Sequence, residues 1–286
     1  MNLMPPWFNI NIARLARTFR AVGQRSQFVW RYIIFQIVLF ATLTFPTATL
    51  ANAKFLSNSV TPNFLVVYFH SYGNNFLEPF EEPTPTDSIA NALLKDVPGV
   101  AIQSIDRDSL AALNGSDGFR PVTELITQRC AEHQSFKHII LCGTSLGAYE
   151  AIAYLHYAPK DILDKISGII SVEPTDDPAE LYWKTRSPKV KQLLFDSFGG
   201  DPVREPDYYR THSIRTLLAS IPNNPELKAL VVSAKRDQVV PPAQQKRLCA
   251  TLRNKKFKVR LVEIDRNHSI ADSWVYGNAF HYVSSR

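Results

Sequence analysis

The sequence predicts an α/β fold with a mostly parallel central sheet flanked by helices. Two observations carry this. Between residues 64 and 264 six apolar, β-branched runs recur, and segments with helical spacing lie between several of them. That alternation is the pattern of strands joined by crossover helices, which gives a parallel sheet covered on both faces.

FLVVYFH (64–70) is bounded by Pro62 before it and by Ser71-Tyr72-Gly73-Asn74-Asn75 after it, and reads as a strand buried on both faces. GVAIQSI (99–105), HIILCG (138–143), SGIISVE (167–173), ALVVSA (229–234) and FKVRLVEI (257–264) read the same way. Helices are expected at 146–157, 241–252 and 270–283. A further one is expected where Val122, Leu125, Ile126 and Cys130 recur after Pro121, a proline suited to a first helical turn. Residues 175–228 break the alternation as a helical insertion carrying Tyr182, Trp183, Phe195, Phe198, Tyr208 and Tyr209. At the C-terminal edge of a parallel sheet it would form a lid or pocket wall; the plainer reading is aromatic packing of a surface excursion. The acidic, proline-rich LEPFEEPTPTD (77–87) is expected to be a solvated loop.

The net charge of +6 would suggest an acidic partner if it were spread along the chain. Residues 1–53, however, hold Arg14, Arg17, Arg20, Arg25 and Arg31 with no acid and no lysine. Without these five, 27 bases face 26 acids, and a nucleic-acid partner is not supported. The arginines precede the apolar YIIFQIVLFATLTF (32–45), then Pro46 and Ala51-Asn52-Ala53. A basic segment, a short apolar run and small residues at a cleavage site read as a secretory signal removed near Ala53, which predicts an exported, periplasmic or secreted protein. The alternative is an uncleaved membrane anchor formed by residues 28–50. The main domain is then 54–286.

Three cysteines, Cys130, Cys142 and Cys249, bring no disulfide framework, and no cluster with zinc-ligand spacing occurs. Cys142 reads as a packing residue beside a more telling motif.

That motif is Gly143-Thr144-Ser145-Leu146-Gly147, set between the strand-like HIILC and the helix-like LGAYEAIAYLHY. A strand-turn-helix with glycines on both sides of a serine can make a turn tight enough to lift the hydroxyl above the sheet. A serine is a weak nucleophile until a base takes its proton and an acid orients that base. Asp237 follows the strand ALVVSA, and His268 follows FKVRLVEI, so serine, acid and histidine occur in a workable order. Glu173 or Asp176, after the preceding strand, could supply the acid in place of Asp237. Glu150, in the helix after Ser145, reads as a solvated or capping charge, and His70 as a brace for the loop after the first strand.

With GTSLG, RDQVVP, RNHS and FHSYGNN in place, residues 60–286 resemble the α/β-hydrolase superfamily, with a layout similar to dienelactone hydrolases and S9 peptidases. The resemblance implies an oxyanion hole built from the backbone N–H groups of Tyr72 and Leu146. Ser71 stands where the family usually has glycine, which leaves the first amide open between Ser71 and Tyr72. No hairpin is evident before residue 60, so the sheet is expected to be trimmed at its N-terminal edge, with the insertion after the family's sixth strand. The implied activity is a serine hydrolase on an ester, thioester or similar acyl bond of a small-molecule or lipid-like substrate, with no cofactor and no metal. An acyltransferase or peptidase with the same triad, or a non-catalytic binding protein of this fold, is the alternative reading.

Overall fold

The computed structural model describes residues 52–95, 97–106 and 115–285. The segment read as a signal or anchor therefore lies outside the described residues except for Asn52 and Ala53. Among the described residues no helix is long and apolar enough to cross a membrane.

In chain order the elements are β1 (Ala53–Ser57), β2 (Phe64–Phe69), α1 (Glu78–Glu81), α2 (Ile89–Lys95), β3 (Val100–Ile105), α3 (Gly115–Glu132), β4 (His138–Thr144), α4 (Leu146–Tyr157), α5 (Lys160–Leu163) and β5 (Ile166–Val172). Four short helices fill the insertion: α6 (Pro178–Lys184), α7 (Pro188–Phe198), α8 (Pro206–Thr211) and α9 (Ile214–Leu217). The chain closes with β6 (Lys228–Ala234), α10 (Pro242–Asn254), β7 (Lys258–Ile264) and α11 (Ser273–Ser284). The seven strands form one sheet in the order β1-β3-β2-β4-β5-β6-β7, in which only β1 runs antiparallel to its neighbour.

Alternating side chains of the strands point to opposite faces, and each face has its own core. Leu65, Val67 and Phe69 of β2 join Ile139 and Leu141 of β4 under α3, α4 and α10. Val66 and Tyr68 join Ile140, Cys142, Ile170 and Val232 under α2 and α11. Cys142 is thus a packing residue, and all three cysteines are free thiols.

Two expectations, on Pro121 and on the acidic segment, need correction. Among the described residues one strand and no hairpin precedes residue 60, in keeping with a trimmed sheet: β1 pairs Ala53 with Ile105 through Ser57 with Ala101. Its exposed alternate residues and single neighbour mark it as a solvated edge strand, too polar to register as an apolar run. Cleavage near Ala53 would fall at its first residue. Pro121 lies inside α3, because the helix begins at Gly115, with Asp117 favourably placed in its first turn and Phe119 extending the buried face. The acidic segment after β2 is partly core, since α1 buries Glu78, Pro79 and Phe80.

The insertion packs around Leu181, Tyr182, Leu194, Phe198 and Tyr209, together with Val240 from the loop after β6. Trp183 stays half exposed at 52%. Gln244 of α10 pins the start of the insertion: its side-chain oxygen accepts the Thr175 hydroxyl at 2.6 Å and the amides of Asp176 and Asp177 at 2.8 and 3.0 Å. Tyr149 of α4 donates to the His212 carbonyl at 2.7 Å, tying the far end of the insertion to the central helix.

Candidate active site

Every residue singled out for chemistry lies beyond the C-terminal end of a strand, the edge at which open parallel sheets bind ligands. Tyr72 follows β2, Ser145 follows β4, Glu173 follows β5, Asp237 follows β6 and His268 follows β7.

Ser145 occupies φ 55°, ψ −118°, a conformation costly for a side-chain-bearing residue. It is held there because its amide donates to the Val172 carbonyl at 2.8 Å while α4 begins at the next residue. The turn requires its two glycines. A Cβ on Gly143 would lie 2.4 Å from the Gly147 carbonyl oxygen, and one on Gly147 would lie 2.1 Å from that of Phe69.

Once lifted above the sheet, the Ser145 hydroxyl is 2.9 Å from Nε2 of His268. Nδ1 of the same ring is 2.7 Å from Oδ2 of Asp237. Asp237 is itself fixed, its other oxygen accepting the Val239 and Val240 amides at 2.8 Å each. The three residues expected from the sequence are therefore brought together in one hydrogen-bonded chain. Burial works to lower the His268 pKa, but the hydrogen bond and charge of Asp237, aided by Glu173, leave it above the ordinary histidine value.

Glu173 was an alternative acid in the sequence; in the structure it accompanies Asp237. Its Oε2 lies 3.1 Å from His268 Nδ1 and accepts the Ser269 amide at 3.1 Å. The residue is fully buried and holds φ 55°. Burial pushes its carboxyl pKa up to about 7, against the pull of His268 and with the push of Asp237. Asp176, the other alternative, instead faces Arg247 at 3.5 Å. Glu173, Asp237 and His268 present metal-ligand atoms within 4.8 Å of one another. An ion held there would have to replace the proton between His268 and its carboxylates.

The loop after β2 is held by Glu78, a residue expected in a solvated loop. Glu78 accepts the Ser71 amide at 2.9 Å and the Ser71 hydroxyl at 2.6 Å on one oxygen, and the Tyr68 hydroxyl at 2.7 Å on the other. The Ser71 amide is thus engaged, while Tyr72 lines the cleft beside Ser145. Leu146 is the first residue of α4, and a first-turn amide has no acceptor within its helix. The expected brace His70 is 2% exposed, with Nδ1 at 3.0 Å from the Ser71 carbonyl. Beneath the site Thr144 stands 3.0 Å from the Tyr68 hydroxyl and 2.6 Å from that of Tyr276. Since the one Tyr68 proton goes to Glu78, the order of donation is Tyr276 to Thr144 to Tyr68 to Glu78. One chain thus joins α11, the residue before Ser145 and the oxyanion loop.

A narrow apolar cleft runs from Ser145 and Tyr72 into the insertion. Its walls include Leu181, Val190, Leu194 and Phe198 on one side and Val239 and Val240 on the other. Glu150 also lines it but is 0% exposed, which corrects the expectation of a solvated charge. The first two turns of α4 face the sheet and the insertion at once, leaving Glu150 no route to bulk water.

The sheet order, the turn at Ser145 and the placement of the site define the α/β-hydrolase fold. Solved structures agree. The acylaminoacyl peptidase of Pyrococcus horikoshii matches with TM-score 0.59 at 14% identity, over 81% of this chain and 38% of its own. A puromycin-hydrolyzing peptidase of Mycobacterium tuberculosis matches with TM-score 0.59 at 13% identity, over 82% and 37%. A truncated carbohydrate esterase from gut microbiota matches with TM-score 0.58 at 16% identity, over 81% and 87%. This chain thus spans less than half the length of the two peptidases. No protein-family model and no curated protein matches it in sequence.

Proposed function

We propose that the protein is a serine hydrolase that cleaves an ester, thioester or related acyl bond. The observation that carries this reading is the chain from Ser145 through His268 to Asp237 at 2.9 and 2.7 Å. His268 Nε2 takes the Ser145 proton as Oγ attacks the carbonyl carbon, and Asp237 holds the ring and stabilises the imidazolium. The Tyr72 and Leu146 amides receive the oxyanion, a contribution of about 3–4 kcal/mol for a single such donor. His268 then protonates the leaving group, and water admitted at the same nitrogen releases the acyl group from Ser145. The chemistry calls for no cofactor.

The cleft suits a small-molecule or lipid-like substrate with an apolar acyl or leaving group. A peptidase or an acyltransferase would use the same residues. Reaction of the purified protein with a fluorophosphonate probe, its loss in Ser145→Ala, and profiling on chromogenic esters, thioesters and amides test the proposal. Product analysis with added alcohols separates hydrolysis from acyl transfer.

A further inference from the structure

Resting on that reading of the site, we propose that Glu173 is a second orienting acid, so that His268 is held by two carboxylates and keeps its reactive tautomer when either is lost. Asp237 Oδ2 takes the Nδ1 proton at 2.7 Å, and Oε2 of Glu173 stands 3.1 Å from the same nitrogen as a charge contact off the hydrogen-bond axis, near enough to take over when Asp237 is lost. The two acids come from different strands, and each is independently anchored. Asp237 is held by the Val239 and Val240 amides, and Glu173 by the Ser269 amide next to His268 itself.

A purely structural role accounts poorly for the residue at this position. A glutamine would accept the Ser269 amide as well, without bringing a charge into a fully buried site. The backbone, moreover, holds φ 55° at a side-chain-bearing residue, a conformation that tends to collect where geometry serves a site. The charged and titratable groups facing the Glu173 carboxyl are His268 and Arg266 from the loop after β7, Asp237 from the loop after β6, and Tyr276 from α11. Arg266 Nε stands 3.9 Å from its Oε1. Two acids this close to each other resist joint ionisation, and His268 as imidazolium relieves that repulsion. Glu173 therefore favours proton transfer to His268 most strongly when it is itself ionised. It is a positioning residue, acting on Ser145 only through the ring.

The test combines Asp237→Asn, Glu173→Gln and the double variant, read by fluorophosphonate labelling rate against pH and by NMR titration of His268. Loss of the only orienting acid of such a triad costs about 10⁴-fold. Asp237→Asn alone is expected to lose about 10²-fold and the double variant about 10⁴-fold. Glu173→Gln is expected to lose three- to tenfold, with the acid limb and the His268 titration both moving to lower pH. An Asp237→Asn variant as slow as the double variant, with the His268 titration unmoved by Glu173→Gln, overturns the proposal. If Glu173→Gln melts below assay temperature, Asp237→Asn decides alone: a 10⁴-fold loss overturns the second acid and a 10²-fold loss supports it. The NMR titration reads the ring whether or not the probe reacts. Absence of labelling in folded wild-type protein would thus count against the hydrolase reading separately.

Discussion

Glu78 closes a ring with Ser71, one carboxylate oxygen accepting both the amide and the hydroxyl of a residue seven positions earlier in the chain. That pairing fixes the loop that presents Tyr72 and engages both the amide and the hydroxyl of Ser71. Replacing Glu78 by alanine leaves three donors without an acceptor, two of them on Ser71 and one on the buried Tyr68. Unpaired buried groups cost about 1–3 kcal/mol each, and with partial relief by water the expected loss is about 2–4 kcal/mol by chemical denaturation. On the proposed function the oxyanion amide rather than the substrate cleft is disturbed, so kcat should fall more than KM rises. Steady-state kinetics on an ester substrate checks the split.

The elbow should tolerate no side chain at Gly147. Its Cβ would meet the Phe69 and His70 carbonyl oxygens at 2.1 and 2.5 Å, backbone atoms of the central strand β2 that cannot step aside. Overpacking of this kind costs about 1–3 kcal/mol, or roughly 2–12 °C in a domain of this size. A thermal melt of Gly147→Ala measures it, and an unchanged Tm would mean that the turn is looser than described.

Two pH dependences, of activity and of stability, follow from His268 and Glu173. His268 acts as a base only when neutral, and its pKa is raised, so activity should increase with pH through a midpoint above the ordinary histidine value of about 6.5. Stability should move the other way. Glu173 has an ordinary value of 4.5 and a folded value pushed up to about 7, so the folded chain binds more protons than the unfolded one across that window. Its contribution is fully present below pH 4.5 and is lost as pH rises through about 7. His268, also raised, has the same sign. Denaturation at several pH values should show stability on account of these groups falling from pH 5 to pH 7, and falling less in Glu173→Gln.

The cleft makes a size prediction. Val190 and Leu194 line it from α7, and a bulkier side chain at Val190 would shorten the slot beside Ser145. Val190→Trp is expected to shift the preferred acyl chain to shorter esters by several carbons, with at least tenfold loss on the longest. The rate on an acetyl ester should change by less than threefold. A panel of p-nitrophenyl esters reads this directly.

The strands and the three residues of the Ser145 chain were legible in the sequence because each signal was local. A fully buried parallel strand must be apolar throughout, and a tight elbow must place glycines at Gly143 and Gly147. Asp237 and His268 stood out because each follows such a run. Glu78 was not legible: its value depends on Tyr68 and Ser71, and in sequence it sits among Glu81, Glu82 and prolines that resemble solvated loop. Glu173 was visible only as a substitute for Asp237, since sequence cannot show two strand ends converging on one nitrogen. β1 was missed because an edge strand buries too little apolar surface to stand out, and the long reach of α3 because Pro121 masked its first two turns. For the insertion the sequence left two readings open, a pocket wall and plain aromatic packing, and its aliphatic Leu181, Val190 and Leu194 at the cleft could not be told from core residues.

The central claim is that Ser145 is a nucleophile activated by His268. Intact-mass spectrometry of the folded protein after exposure to a fluorophosphonate tests it most directly. One adduct per chain, mapped to Ser145, absent in Ser145→Ala and slowed at least 10³-fold in His268→Ala, is the expected result. A folded wild-type protein that acquires no adduct, or one whose adduct persists in Ser145→Ala, would contradict the account.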